Sequence, residues 1–345
     1  MAAVSAKYRK YLRKAWHCVT RRITFRPCDI SFKQEIKGRL LAKVAVKNPK
    51  MVRSASIGLE IAAFLVIVVT VWSLYVVVKS GLNLYVYGTC NPSNAASCSL
   101  GAEACSIEGA QLGFVDSVTS FKLHTYIANE FAGLGKTVAA VPSRMQTWSS
   151  EEYLPANVTY VNGYDKNKPT ALEVVDPGCI YCQQLMRNIV ASGFAERYNL
   201  AYIAYPIPSS TGQSGYKFPN SHLVVSYLEA MRMRPLDSTK RPVDWLILER
   251  MYTGSDQKGR SYQVVINGIL GRDQTAELLQ SWMREFGYND KQVAEIVQLA
   301  ASDRVAAVMR ANEQIIKNQI KTVKIPTIIF DGRRHDGVVK TEDLR

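Results

Sequence analysis

The stretch Ala171-Leu-Glu-Val-Val-Asp-Pro-Gly-Cys-Ile-Tyr-Cys-Gln-Gln-Leu185 decides how this chain folds. Residues 171–175 are apolar or β-prone and predict a short buried strand. Asp176, Pro177 and Gly178 break it. Gln183-Gln-Leu-Met-Arg-Asn-Ile-Val190 then predicts a helix. Strand, tight turn and helix together set Cys179 at a helix N-terminus, with Cys182 inside the first turn.

A helix N-terminus offers unpaired N–H groups and a partial positive charge. Both favour a thiolate over a thiol, so the Cys179 pKa is expected below the usual value of about 8.5. Cys179 is expected to be the exposed nucleophile of disulfide exchange. Cys182 is expected to be the more buried thiol that resolves it, and one helical turn brings the two sulfurs close enough for a 179–182 disulfide. C-x-x-C is also zinc-ligand spacing. No second pair and no H-x-x-x-H accompanies it, and His222 and His335 stand alone. Neither a metal nor a cofactor is therefore expected.

The segment resembles the active site of the thioredoxin superfamily, and most of all the bacterial periplasmic Dsb proteins. Glu173 lies six residues before Cys179, where thioredoxin and DsbA carry a buried acid. Lys324-Ile-Pro-Thr-Ile-Ile-Phe-Asp-Gly332 is similar to the superfamily's cis-proline strand and the hairpin after it. The resemblance covers roughly residues 157–345. It implies an α/β thioredoxin-like fold with a helical domain inserted at about 209–322, between the redox helix and the proline strand. It implies a cis Pro326 lying against the disulfide, and Cys179, Cys182, Glu173 and Pro326 as catalytic residues. Ile180, Tyr181, Ile325 and Thr327 would contact substrate. A buried Glu173 would have a raised pKa and relay a proton to and from Cys182. Asp176 matches an acid of DsbC and DsbG; the alternative is that at the turn it only caps the helix.

The resemblance leaves the direction of the chemistry open. Ile180-Tyr181 lacks the histidine found between the DsbA cysteines, which argues against the most strongly oxidising class. Tyr181 resembles DsbC and DsbG, whereas Ile325 before Pro326 resembles thioredoxin.

Charge separates the N-terminus from the rest. The chain of 345 residues carries a net +14. Residues 1–56 hold fifteen Lys and Arg and only two acids, Asp29 and Glu35, so nearly all the imbalance sits there. A basic tail with a near-neutral remainder does not describe a nucleic-acid-binding fold, and no nucleic acid is expected as a partner. Ile61 to Val78 is an uncharged apolar run long enough to cross a bilayer, and Trp72 and Tyr75 lie in its C-terminal half. It has no amphipathic face, unlike a core helix. The expected span is 57–79, with the basic side cytoplasmic by the positive-inside rule. A cleaved leader would need a basic region of over 50 residues, and no small-x-small site follows the run. The twin-arginine pair Arg21-Arg22 is too far from the apolar run.

Cysteine usage agrees with export. Cys18 and Cys28 fall on the cytoplasmic side. With 179–182 paired, two of Cys90, Cys98 and Cys105 are free to form a structural disulfide, and the sequence does not choose between them.

Along the chain, Tyr8, Tyr11, Leu12, Trp16 and Val19 recur at helical spacing, either as an amphipathic helix on the inner leaflet or as a solvated tail. Residues 80–156 read as an exported linker or small segment, with a Gly-, Ser-, Ala- and Asn-rich loop over 81–115 and helical signals near Phe121–Phe131. Gly133-Leu-Gly-Lys-Thr137 fails as a phosphate loop, because Glu130 stands where its first glycine is needed. Asn157–Val161 and Ala171–Val175 predict a strand–turn–strand opening, and Leu200–Pro206 the next strand. Helices are expected over His222–Arg232, Val243–Tyr252, Gln274–Phe286, Asp290–Ala301 and Ser302–Ile320. Met231, Met233, Met251 and Trp245 fit core packing better than a substrate groove.

These readings converge on an extracytoplasmic thiol–disulfide oxidoreductase or isomerase in the bacterial inner membrane. It would act on exported proteins bearing thiols or disulfides. A membrane or periplasmic redox partner would serve it, and lipid would contact residues 57–79 and the basic tail. A second reading is a component of a membrane-spanning assembly or secretion or conjugation machine that uses the domain only for binding, motivated by the long tail and the extra segment 81–150.

Overall fold

The computed structural model describes residues 16–17, 21, 38, 52–93, 103–107, 113–209, 215–236 and 241–345. The expectations for the basic tail, for Cys18 and Cys28 and for Cys98 fall outside these. The chain divides into two compact units, residues 1–77 and 78–345.

Helix α1 runs over Val52–Tyr87, 36 residues in place of the expected 57–79. At 1.5 Å per residue it is about 54 Å long. Its 18-residue apolar window has a mean hydropathy of 2.7 and none of it is buried, so apolar side chains face outward all round. That makes it a candidate membrane span, by length and composition. The helix continues past Gly81 because its last turns are held within the second unit. Asn83 accepts a hydrogen bond from Thr137 at 2.6 Å, and Val86 and Tyr87 are buried.

The second unit is built on a four-stranded sheet in the order β3-β2-β5-β6. Strand β2 (Thr170–Val175) pairs in parallel with β3 (Asn199–Ala204) and antiparallel with β5 (Thr327–Phe330). Strand β6 (Arg333–Asp336) closes the antiparallel edge. Both parallel strands are buried at every residue, which is why each reads as a continuous apolar run. Asp331 and Gly332, with φ of 48° and 71°, form the two-residue turn between β5 and β6, a geometry that suits Asp-Gly. The βαβ–ββ order is that of the thioredoxin-like fold. The first strand of the expected opening hairpin does not form. Asn157–Val161 contributes only an isolated bridge at Val161, whose N–H donates to the Leu200 carbonyl at 3.0 Å.

Helix α2 is Phe114–Thr119 and α3 is Leu123–Ala140, so Gly133–Thr137 lies inside a helix. Helix α4 (Ile180–Ser192) follows the redox turn and ends at Gly193, whose φ of 64° needs a residue without a Cβ. A short α5 (Phe194–Arg197) leads into β3. The helical insertion then runs through α6 (Ser221–Met233), α7 (Val243–Thr253), α8 (Tyr262–Gly268), α9 (Arg272–Glu285), α10 (Asp290–Ala300) and α11 (Asp303–Gln314). Asn289 and Gln292 cap α10 reciprocally, each side chain accepting from the other's backbone N–H at 2.9 Å. A π-helical turn, Ile315–Ile320, ends the insertion at Lys321, φ 54°. Met231, Met251 and Trp245 are core residues.

Insertion and sheet are locked by buried charge. Arg232 of α6 donates to Asp244 of α7 at 3.1 Å, to Glu229 at 3.0 Å and to the Tyr202 carbonyl of β3 at 2.9 Å. Its guanidinium lies 3.8 Å from the centre of the Tyr202 ring.

Strand β4 (Lys324–Ile325) precedes the proline. It pairs antiparallel with a strand that the sequence reading missed, β1 (Cys105–Ser106), which lies inside the expected 81–115 loop.

Candidate active site

The redox turn is placed by β2 and α4. Cys179 is the N-cap of α4, as its sequence position predicts, and Cys182 donates its N–H to the Cys179 carbonyl at 3.0 Å. The Ile325–Pro326 bond is cis. The Ile325 carbonyl lies 3.6 Å from Cys179 Sγ.

Two expectations need correction. Cys179 is not exposed: its relative accessibility is 0%. Nor is it bonded to Cys182. It forms a disulfide with Cys105 of β1, while Cys182 is a free, buried thiol. The physical reason is the β1–β4 pairing, which sets Cys105 opposite Ile325 and so beside the redox turn. Cys90 is also disulfide-bonded, with its partner outside the described residues. Cys105 and Cys90 therefore do not bond to one another.

Glu173 faces the interior from β2, between Tyr202 and Ile328 on the neighbouring strands. It is fully buried and neither carboxylate oxygen has a hydrogen-bond partner. Burial without compensation pushes its carboxyl up to about 8. Burial also pushes the Cys182 thiol well above its ordinary value, and the Glu173 charge adds to that. The Asp176 N–H reaches Cys182 Sγ at 3.5 Å.

Asp176 does not cap α4, whose N-cap is Cys179 and has no side-chain cap hydrogen bond. One of its oxygens accepts from Gly178 N–H at 2.7 Å and from the Ser221 hydroxyl, the other from Ile207 N–H at 2.7 Å. It thus ties the redox turn to the segment after β3 and to the start of α6. Burial raises it to about 6, against these hydrogen bonds. The insertion grips the turn from the other side. Gln263 of α8 donates to the carbonyls of Pro177 and Cys179, both at 2.9 Å, and the Tyr252 hydroxyl donates to the Asp176 carbonyl at 2.8 Å. Gly178 is required by close approach, since a Cβ there would meet Phe218 Cβ and Cγ at 2.3 Å.

Ile180 is 59% exposed beside the cysteine, and Tyr181 is half-buried. Thr327 is fully buried, and its hydroxyl bonds to the Lys324 carbonyl at 2.7 Å and to Thr322 at 2.8 Å, so it holds the proline turn rather than an open surface. Among the described residues no group of three His, Cys, Asp or Glu side chains is arranged to hold a metal.

Sheet order, N-capping cysteine and cis-proline turn define a thioredoxin-like fold with a helical insertion. No protein-family model and no curated protein matches the chain. Solved structures do. A thiol-disulfide oxidoreductase of Corynebacterium diphtheriae, MdbA, is 17% identical with a TM-score of 0.36, covering 55% of this chain and 87% of that one. ScsC of Proteus mirabilis is 13% identical with a TM-score of 0.37, covering 68% and 95%. The oxidoreductase DsbA of Xylella fastidiosa is 17% identical with a TM-score of 0.34, covering 54% and 85%.

Proposed function

We propose that this protein is a thiol–disulfide oxidoreductase, held to the bacterial inner membrane by α1 with its C-terminal domain outside the cytoplasm, acting on exported proteins. One observation carries the reading: Cys179, capping α4 beside the cis-proline turn, is joined by a disulfide to a cysteine on an extended strand. That is the arrangement of an exchange intermediate.

In the forward exchange, a client thiolate attacks the Cys179–Cys182 disulfide at Cys179 and displaces Cys182 as a thiol. A second client thiolate then attacks the client sulfur of the mixed disulfide. Cys179 leaves as a thiolate favoured by the N-terminus of α4. The client thiols lose two electrons and release two protons to solvent; the cysteine pair gains the two electrons, and one proton goes onto Cys182 while Cys179 stays a thiolate. In the reverse direction the Cys179 thiolate attacks a client disulfide, and Cys182 resolves it once an ionised Glu173 has taken its proton. After the forward exchange a disulfide-bearing redox partner re-oxidises the pair; after the reverse exchange a dithiol partner re-reduces it. The basic tail and α1 would contact lipid.

Trapping tests the reading. Cys105 already holds Cys179, so the trap combines Cys105→Ala with Cys182→Ala, leaving the nucleophile without a resolving thiol. Extracytoplasmic proteins should accumulate on it as adducts that reductant releases, and adding Cys179→Ala should abolish them. Equal capture by both variants, each expressed and folded, would replace this reading with the binding role in a membrane assembly.

A further inference from the structure

Strand β1 occupies the main-chain edge beside the proline turn, where an extended client would have to lie to reach Cys179. Its register sets Cys105 opposite Ile325 and Ser106 opposite Lys324. The pairing extends on both sides: Ile107 N–H donates to the Val323 carbonyl at 3.0 Å, and the Glu103 carbonyl accepts from Val338 N–H at 3.0 Å. The hold is made mostly by backbone groups. With β1 seated, Cys179 and Cys182 both have 0% accessibility, so nothing from outside can attack either sulfur.

We propose that Cys105 is a third exchanging cysteine: residues 103–107 act as an internal client that closes the site, and Cys182 reopens it by displacing Cys105 from Cys179. The inference rests on the oxidoreductase reading of the Cys179–Cys182 pair. In the opening step Glu173 first releases its own proton to solvent, the resulting carboxylate takes the proton of Cys182, and the Cys182 thiolate attacks Cys179 Sγ. The Cys179–Cys105 bond breaks, its electron pair leaves on Cys105 Sγ, and that sulfur takes a proton from water. The Cys179–Cys182 bond forms. One disulfide and one thiol stand on each side, so the step is an isomerisation within one chain and needs no oxidant or reductant. The open form carries the disulfide that clients attack, and the closed form keeps the same oxidising equivalents out of reach.

The isomerisation has a signature that a structural disulfide lacks. Because no net electrons move, the ratio of the 105–179 form to the 179–182 form must not depend on the surrounding thiol–disulfide poise. The test equilibrates the full chain in detergent across glutathione buffers of different poise. Acid quenching, alkylation and mass-spectrometric mapping of disulfide-linked peptides then count the two forms. Both are expected in the wild-type protein at a constant ratio while their sum changes. Cys182→Ala should hold only the 105–179 bond and Cys105→Ala only the 179–182 bond. Cys105→Ala should also oxidise a reduced dithiol peptide faster than wild type by the reciprocal of the open fraction, about tenfold if one chain in ten is open. Absence of the 179–182 form from the wild-type chain at every poise overturns the proposal, as do equal rates for wild type and Cys105→Ala. If the two forms interchange but Cys105→Ala does not oxidise the peptide, the internal exchange stands and the oxidoreductase reading fails.

Discussion

At the scale of the residue, a carboxyl group lies buried in an apolar medium beneath Cys182. Glu173 is buried without a hydrogen-bond partner, and burial alone lifts it to about 8 from an ordinary 4.5. Between those values the folded protein binds a proton that the unfolded chain releases, so stability falls as pH rises through that window. From pH 5 to pH 8 this group should cost on the order of 3 kcal/mol. Urea unfolding of the full chain in detergent should show that slope in wild type and a correspondingly flatter one in Glu173→Leu; identical slopes would mean that Glu173 is not held protonated. Only the ionised minority of this carboxyl could serve the proton relay proposed above for Cys182. Here the sequence was informative through family resemblance only, because alternation along 171–175 points Glu173 inward only weakly. Cys105 was harder to see. Export leaves five cysteines, so one is odd, but no local pattern selects which. Its partner is chosen by a strand pairing across more than two hundred residues, between Cys105 and Ile325.

At the scale of the element, the turn is clamped between sheet and insertion. Helices α6, α7, α9, α10 and α11 were legible within a few residues because each is periodic and bounded by breakers. Helix α8 was not: it has seven residues and ends on a glycine, too short for a periodic signal, yet it carries Gln263. The two-residue β1 gave no alternation to read. What fixes the insertion is the Arg232 group, where the side chains of Arg232, Glu229 and Asp244 are almost wholly buried. Burying such charges is not in itself stabilising, but removing one partner strands the others. Arg232→Ala should therefore lower unfolding stability by about 3–5 kcal/mol. A loss below about 1 kcal/mol, the value of an exposed pair, would show that the network is solvated in solution.

At the scale of the whole molecule, the apolar run made a candidate membrane span legible. The excess length of α1 was not, since its last turns are sustained by the second unit through Asn83, Val86 and Tyr87. An exported reporter fused after residue 93 should be active in cells and a cytoplasmic one silent; the reverse would invert the proposed topology.

The β1–β4 pairing has one more consequence. Strand β4 carries main-chain donors and acceptors along its outer side, and an uncovered strand edge is a template for a strand of any other chain. Neighbours held in the plane of a membrane face each other at high local density, where bare edges adhere to one another. With β1 in place that edge is already satisfied from within the same polypeptide. The segment proposed to close over Cys179 would thereby also keep a strand of a neighbouring copy off β4.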